Sequence, residues 1–252
     1  MSYSIFASTR SPMLVIYLLD ISASMSSATN TTSRIEALDK ALEKTIYRMY
    51  ARSRKGNAIT PRYNIAMLAY NDMVFDVLNG VKNIKELVEI GLPEFVPNGG
   101  TNTALAFEYV EKLLENELPK MDSCPPPLVC HITDGEFTGD DPEPIAHRIM
   151  EMATPDGNVL IQNVFINDDI IKNDIPDVRY WKGISSSSEL KNSYAKKLYS
   201  MSSALPESYR TTVNEMGYNI ETNIKMMIPA VDSELLGLGF AMSASTPIAS
   251  LK

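Results

Sequence analysis

A run of seven apolar residues, 13–19, ends directly on a carboxylate, Asp20. The run is continuous rather than alternating. It therefore predicts a strand buried on both faces, as in a parallel sheet clothed by helices. Behind Asp20 the chain is rich in Ser, Thr and Asn as far as Thr32 and reads as a loop. Ser33 and Glu36 then have capping-box spacing. Ile35, Leu38, Leu42, Ile46 and Met49 follow at steps of three and four, which predicts an amphipathic helix. Arg48, Arg52, Arg54 and Lys55 close it as a solvated basic end, with Gly56 as the stop.

The same punctuation continues along the chain. Residues 63–70 and 73–78 read as strands joined by a hairpin at Asn71-Asp72. A short helix is expected over 84–90 and a longer one over 103–118, its face marked by Leu105, Tyr109, Leu113 and Leu114. Further strands are expected at 128–133, 159–166 and 178–184, and further helices at 142–152 and 188–201. Residues 220–228 and 232–240 are apolar but without a firm type. Residues 243–252 read as a frayed tail. Alternating strands and helices predict an α/β fold: a mostly parallel central sheet, one antiparallel edge strand, and helices on both faces. The chain divides into a main domain at 1–205 and a C-terminal extension at 206–252 that packs on the same body.

Composition narrows the function. The chain of 252 residues carries a formal net charge of -8, the wrong sign for neutralising phosphates, so no nucleic acid is expected as partner. No stretch has the length of a transmembrane helix, and no membrane is expected either. Cys124 and Cys130 are too few for a disulfide framework and do not form a C-x-x-C pair. The first apolar run lacks a basic flank and meets Asp20 at once, so it does not read as a signal peptide. A cytoplasmic location is expected. Oligomeric state is not legible.

In an open α/β sheet, ligands sit beyond the carboxyl ends of the strands. Three oxygen-bearing loops fall there: Asp20-Ile-Ser22-Ala-Ser24, Gly99-Gly100-Thr101, and Thr133-Asp134-Gly135. Two carboxylates and three hydroxyls form a hard, oxygen-only set. That set suits Mg2+ or Mn2+ rather than Zn2+, and leaves a ligand position for water or a partner's oxygen. Period-two spacing would align Asp20, Ser22 and Ser24 only if the chain stays extended past the strand. The plain alternative is that each loop is a turn former or helix cap.

Leu18-Leu-Asp-Ile-Ser-Ala-Ser-Met25, Pro97-Asn-Gly-Gly-Thr101 and His131-Ile-Thr-Asp-Gly135 resemble the three signature segments of a von Willebrand factor type A (vWA) domain. Within that family the chain is most similar to intracellular bacterial members of the tellurite-resistance-associated type. The resemblance implies a Rossmann-like vWA fold with a complete metal-ion-dependent adhesion site (MIDAS) made of Asp20, Ser22, Ser24, Thr101 and Asp134. It also implies a bound Mg2+ or Mn2+, and a protein partner whose Asp or Glu completes the coordination. Ser22, Ser24 and Thr101 would touch the ion, with Asp20 and Asp134 acting partly through water. Some relatives move the last helix on binding; residues 188–201 would correspond.

A non-enzymatic binding module is therefore expected. The competing reading is a Mg2+-dependent phosphohydrolase of the haloacid-dehalogenase kind with Asp20 as nucleophile. Such an enzyme needs a second Asp two residues on, where this chain has Ser22. Serine chemistry lacks a G-x-S-x-G elbow, and a P-loop is absent. His131 reads as a core residue and His147 as solvent-facing. Met226 and Met227 read as core fillers. Phe137 is expected at the rim of a partner surface.

Overall fold

The computed structural model describes residues 3–28, 32–167 and 169–244. A seven-stranded sheet organises them. Its strands are β1 (Met13–Asp20), β2 (Tyr63–Tyr70), β3 (Val74–Asp76), β4 (Lys82–Asn83), β5 (Leu128–Thr133), β6 (Leu160–Phe165) and β7 (Met227–Pro229). The spatial order is β7-β6-β5-β1-β2-β3, with β4 also on β2. The first five of these run parallel, and β3 and β4 pair antiparallel along the β2 edge. The helices are α1 (Arg34–Arg52), α2 (Ile84–Ile90), α3 (Thr103–Glu117), α4 (Glu143–Glu151), α5 (Ser193–Ser200), α6 (Glu207–Glu215) and α7 (Ser233–Ser243). Helices α1, α2 and α7 gather on one face, and α3, α4 and α5 on the other. The expected Rossmann-like α/β architecture is thus the one observed.

Every residue of β1 is buried, as its unbroken apolar run requires. The register places Asp20 beside Tyr70, and Leu18 beside His131, which in turn faces Asn163. Side chains alternate along each strand, so Asp20, Tyr70, His131 and Asn163 share one face. There the His131 ring sits between the Tyr70 hydroxyl, 2.8 Å from Nε2, and Asn163 Oδ1, 2.7 Å from Nδ1. The Asn163 amide nitrogen donates to the Leu198 and Met201 carbonyls and the Ser202 hydroxyl. Its oxygen must therefore accept, so Nδ1 of His131 carries the proton and Nε2 accepts from Tyr70. Burial lowers the His131 pKa to about 4. This histidine is a core residue, and both ring nitrogens are engaged.

Four sequence expectations are corrected. Residues 178–184 do not form a strand. Val178–Tyr180 is a 3-10 turn, and the buried side chains Val178, Trp181 and Ile184 recur every third residue, not every second. The sheet takes its edge strand instead from β7, beyond residue 205. The buried face of α3 is Ala104, Phe107, Val110 and Leu114, while Leu105 and Tyr109 are exposed; large residues on two sides of the helix concealed the smaller alanine seam. Residues 188–201 are not one helix. Leu190 is extended and bridges Ile171, and Asn192 caps a separate α5. Ser243 is not part of a frayed tail: it is buried at the end of α7 and accepts from the Tyr17 hydroxyl while donating to Phe240 O. The rest of that stretch, 245–252, lies outside the described residues.

Helix α7 is seated closely. A Cβ at Gly239 would lie 2.9 Å from Val164 Cγ2, so only glycine allows this approach to β6. Gln162 Nε2 donates to the Gly239 carbonyl at 2.6 Å. Phe240 stacks on Tyr17 with ring centroids 6.0 Å apart.

On the opposite side of α1, Asp39 is half-buried. Burial, then the Glu94 and Glu36 carboxylates, push its carboxyl up to about 6. A raised carboxyl stabilises the native state below the unfolded value of 3.8, and that contribution is lost as the pH rises through about 6. Asp39→Asn should accordingly melt higher than the parent at pH 7, and the difference should shrink towards pH 4. A difference that stays constant across thermal melts from pH 4 to 8 would show that Asp39 titrates normally.

Candidate metal centre

Asp20 closes β1 with a fully buried carboxylate. Oδ1 accepts from the Ser22 amide at 2.8 Å, a local Asx turn, and Oδ2 accepts from the Thr133 hydroxyl at 2.7 Å. The chain does not stay extended past the strand: Ala23–Ser26 winds into a 3-10 turn. Turn geometry, not period-two alternation, brings Ser22 Oγ to 3.0 Å from Ser24 Oγ. Ser24 donates to Asp134 Oδ1 at 2.7 Å, so the Ser22 hydroxyl donates to Ser24. A continuous polar chain thus runs from Asp20 through the two serines to Asp134, at the carboxyl ends of β1 and β5.

Thr101 reaches the same mouth through its backbone. Ala23 N donates to the Gly99 carbonyl, and Asn98 N to the Ile21 carbonyl. Gly100 N donates to Asp72 Oδ2 at 2.7 Å. A Cβ at Gly99 or Gly100 would lie 2.6 or 2.5 Å from an Asp72 carboxylate oxygen, and Gly99 also has φ +74°. The glycine pair is therefore what lets the β2–β3 turn clasp this loop. Thr101 N donates to the Thr138 hydroxyl and Thr138 N donates to the Thr101 carbonyl, while Thr101 Oγ1 makes no hydrogen bond among the described residues.

Arg34 and Tyr194 escape a motif reading, and Thr133 lies in the third segment without being counted as a donor. Arg34, the first residue of α1, places Nη1 2.8 Å from Asp134 Oδ2. A cation opposes the dipole at a helix N-terminus, so its place is explained by Asp134 rather than by the helix. Thr133 anchors Asp20. Tyr194 on α5 is buried, and its hydroxyl has no well-aligned hydrogen bond among the described residues, although the Thr103 and Thr133 hydroxyls lie near enough to act on it. Burial raises the Tyr194 pKa, and the Asp20 charge raises it further. Nothing in the sequence hints at Arg34, since its partner lies on a distant element. Nor does anything hint at Tyr194, which arrives from another element. Phe137 is not a free rim residue: its half-buried ring packs 5.7 Å from Tyr194.

Burial pushes the Asp20 carboxyl up to about 6, against the pull of Ser22 and Thr133, and the nearby Asp134 charge adds to the rise. The site therefore favours an additional positive charge. The described residues contain no group of three or more His, Cys, Asp or Glu able to hold a metal, so hydroxyls must complete any ligand set here. The donors Asp20, Ser22, Ser24, Thr101 and Asp134 are all oxygen, which fits a hard divalent ion. The uncommitted Thr101 oxygen fits the same picture.

No family model matches this chain, and no curated protein does. Solved structures do. The pilus adhesin SpaC from Lactobacillus rhamnosus GG aligns over 93% of this chain with a TM-score of 0.57 and 10% identity. This likeness shows a shared fold. The SpRpn10 VWA domain aligns over 62% of the chain, with a TM-score of 0.42 and 13% identity, covering 76% of that structure. Proximal thread matrix protein 1 from the mussel byssus, with a zinc-occupied MIDAS motif, aligns over 93% with a TM-score of 0.48 and 13% identity. The chain spans 30% of the adhesin and 48% of the byssus protein. Among the described residues no helix is long and apolar enough to cross a membrane.

Proposed function

We propose that this chain is a metal-ion-dependent protein-binding module of the vWA type. Asp20, Ser22, Ser24, Thr101 and Asp134 would hold Mg2+ or Mn2+, and a partner's Asp or Glu would complete the shell. The observation that carries this reading is the unbroken chain Asp20–Ser22–Ser24–Asp134 at the strand ends, beside the uncommitted Thr101 hydroxyl. When bound, the ion supplies a strong local positive charge for a carboxylate. The residues' own work is positional. Thr133 fixes the Asp20 carboxylate, Ser24 fixes Asp134, and the glycine pair holds Thr101 at the mouth.

A binding role rather than catalysis is supported by the chemistry around the ion. Ser22 stands where a phosphohydrolase would need its acid, and His131 is buried with both nitrogens engaged. Cys124 and Cys130 are free and buried, and burial raises both thiols, so neither offers a ready thiolate. A cytoplasmic site of action is part of the same proposal and rests on the sequence resemblance of the three loop segments alone.

Calorimetric titration of Mn2+ and Mg2+ into EDTA-treated protein tests it. Saturable one-site binding is expected, reduced at least a hundredfold in Asp20→Ala. Equal binding by both proteins, or none by either, would overturn the assignment. A pull-down with and without chelator then reads the dependence on a partner.

A further inference from the structure

A second site lies away from the metal centre, between α1, α7 and the turn around Arg179. It is a cavity of about 600 Å3, within the roughly 300–1,000 Å3 usual for small-molecule sites. Lys40, Lys44 and Arg48 line it along α1 at four-residue intervals, so their stems leave one helix face about 6 Å apart. None of the ion pairs among the described residues uses these three cations. Arg179 faces them across the cavity, its guanidinium 5.5 Å over the Tyr218 ring. Glu234 is the one carboxylate in the lining. Four cations against one acid is the reverse of the chain's net charge of -8.

An independent observation points to an occupant. Gly237 sits inside α7 and borders the cavity, and a Cβ built on it would meet nothing within 4 Å. Packing does not demand glycine here, unlike at Gly239 two residues on. A glycine in a helix interior costs about 1 kcal/mol relative to alanine. Its effect is to keep the cavity floor bare, together with Ala37 and Ala41 on the facing helix. A flat floor, an Arg–Tyr pair on one wall and a row of cations on the other suit a ring that carries several anionic groups.

We propose that this cavity binds a phosphorylated small molecule with a planar ring, of the nucleoside diphosphate class. The phosphates would lie along Lys40, Lys44 and Arg48. The ring would rest on the Ala37–Ala41–Gly237 floor against Tyr218 and Arg179. None of the five candidate metal-site residues lines it.

The test is calorimetry with ADP, pyrophosphate and adenosine in EDTA at about 0.15 M salt, where surface charge is screened. ADP should bind saturably at one site, at least tenfold tighter than pyrophosphate or adenosine. Lys44→Gln with Arg48→Gln should weaken ADP at least tenfold. Gly237→Leu should weaken it similarly while leaving the melting temperature unchanged or higher, since leucine is the better helix former. Absence of ADP binding up to 5 mM, or undiminished binding in Gly237→Leu, would overturn the site. Pyrophosphate binding as tightly as ADP would overturn the role of the ring.

Discussion

Arg34→Gln is expected to bind Mn2+ about tenfold more tightly than the parent, although it removes a contact from the centre. The guanidinium is 19% exposed and its partner Asp134 is fully buried. It supplies one positive charge to a site with two carboxylates. A divalent ion entering the same site meets that charge as a repulsion. Charges of +1 and +2 about 6 Å apart oppose one another by about 5 kcal/mol at an effective dielectric of 20, before the carboxylates and solvent screen them. A tenfold gain needs only about 1.4 kcal/mol of this to survive.

The same substitution should cost the ion-free protein on the order of 2–3 kcal/mol, because a buried carboxylate loses its partner. The two effects are linked. The ion that restores charge balance should raise the melting temperature of Arg34→Gln more than that of the parent. Calorimetry with Mn2+ and paired thermal melts check both. Weaker Mn2+ binding by the variant would show that Arg34 orients Asp134 for the ion instead of competing with it.

A chain ended after Leu205 should not fold. The sequence reads residues 206–252 as an extension packed on the same body, and these residues supply β7 and α7. Met226, Met227, Ile228, Leu235, Leu236, Leu238, Phe240 and Met242 are all buried. At roughly 1.5–3 kcal/mol for each buried large apolar side chain, the loss of these eight is on the order of 12–24 kcal/mol. That matches or exceeds the total stability of a typical domain, about 5–15 kcal/mol. The cut also bares the β6 edge and removes Ser243 from the buried Tyr17 hydroxyl. Far-UV circular dichroism and dye binding should report a collapsed or aggregated product. A cooperative melt within a few degrees of the parent would show that 1–205 is self-sufficient.

Where each side chain had one job, its pattern was readable. β1 is buried on both faces and reads as an unbroken apolar run. α1 has one buried face and reads as steps of three and four. The places of Asp20, Ser22, Ser24, Thr101 and Asp134 in the fold are legible because each sits within a few residues of a strand or helix end. Asp20, the two serines and Asp134 are joined by hydrogen bonds in the fold, while Thr101 is tied in by backbone alone.

Helix α7 was not typed, and the reason is physical. Leu235, Leu236 and Leu238–Ser243 are buried, so beyond the first turn only Gly237 interrupts the buried surface, and no polar residue marks a period. β7 is three residues long, too short for alternation to show. Arg34 and Tyr194 reach the centre from α1 and α5, and a contact between distant elements leaves no local trace.

The glycine at 239 also fixes where α7 can stand. At Gly239 the helix comes so near β6 that a Cβ would lie 2.9 Å from Val164 Cγ2. A slide of one helical turn along the sheet would bring Leu235 or Ser243 to that point, and a side chain would strike the strand. The helix thus works like a bolt with a single notch. It holds one seat, from which it can be lifted off the sheet, but along which it cannot be ratcheted turn by turn.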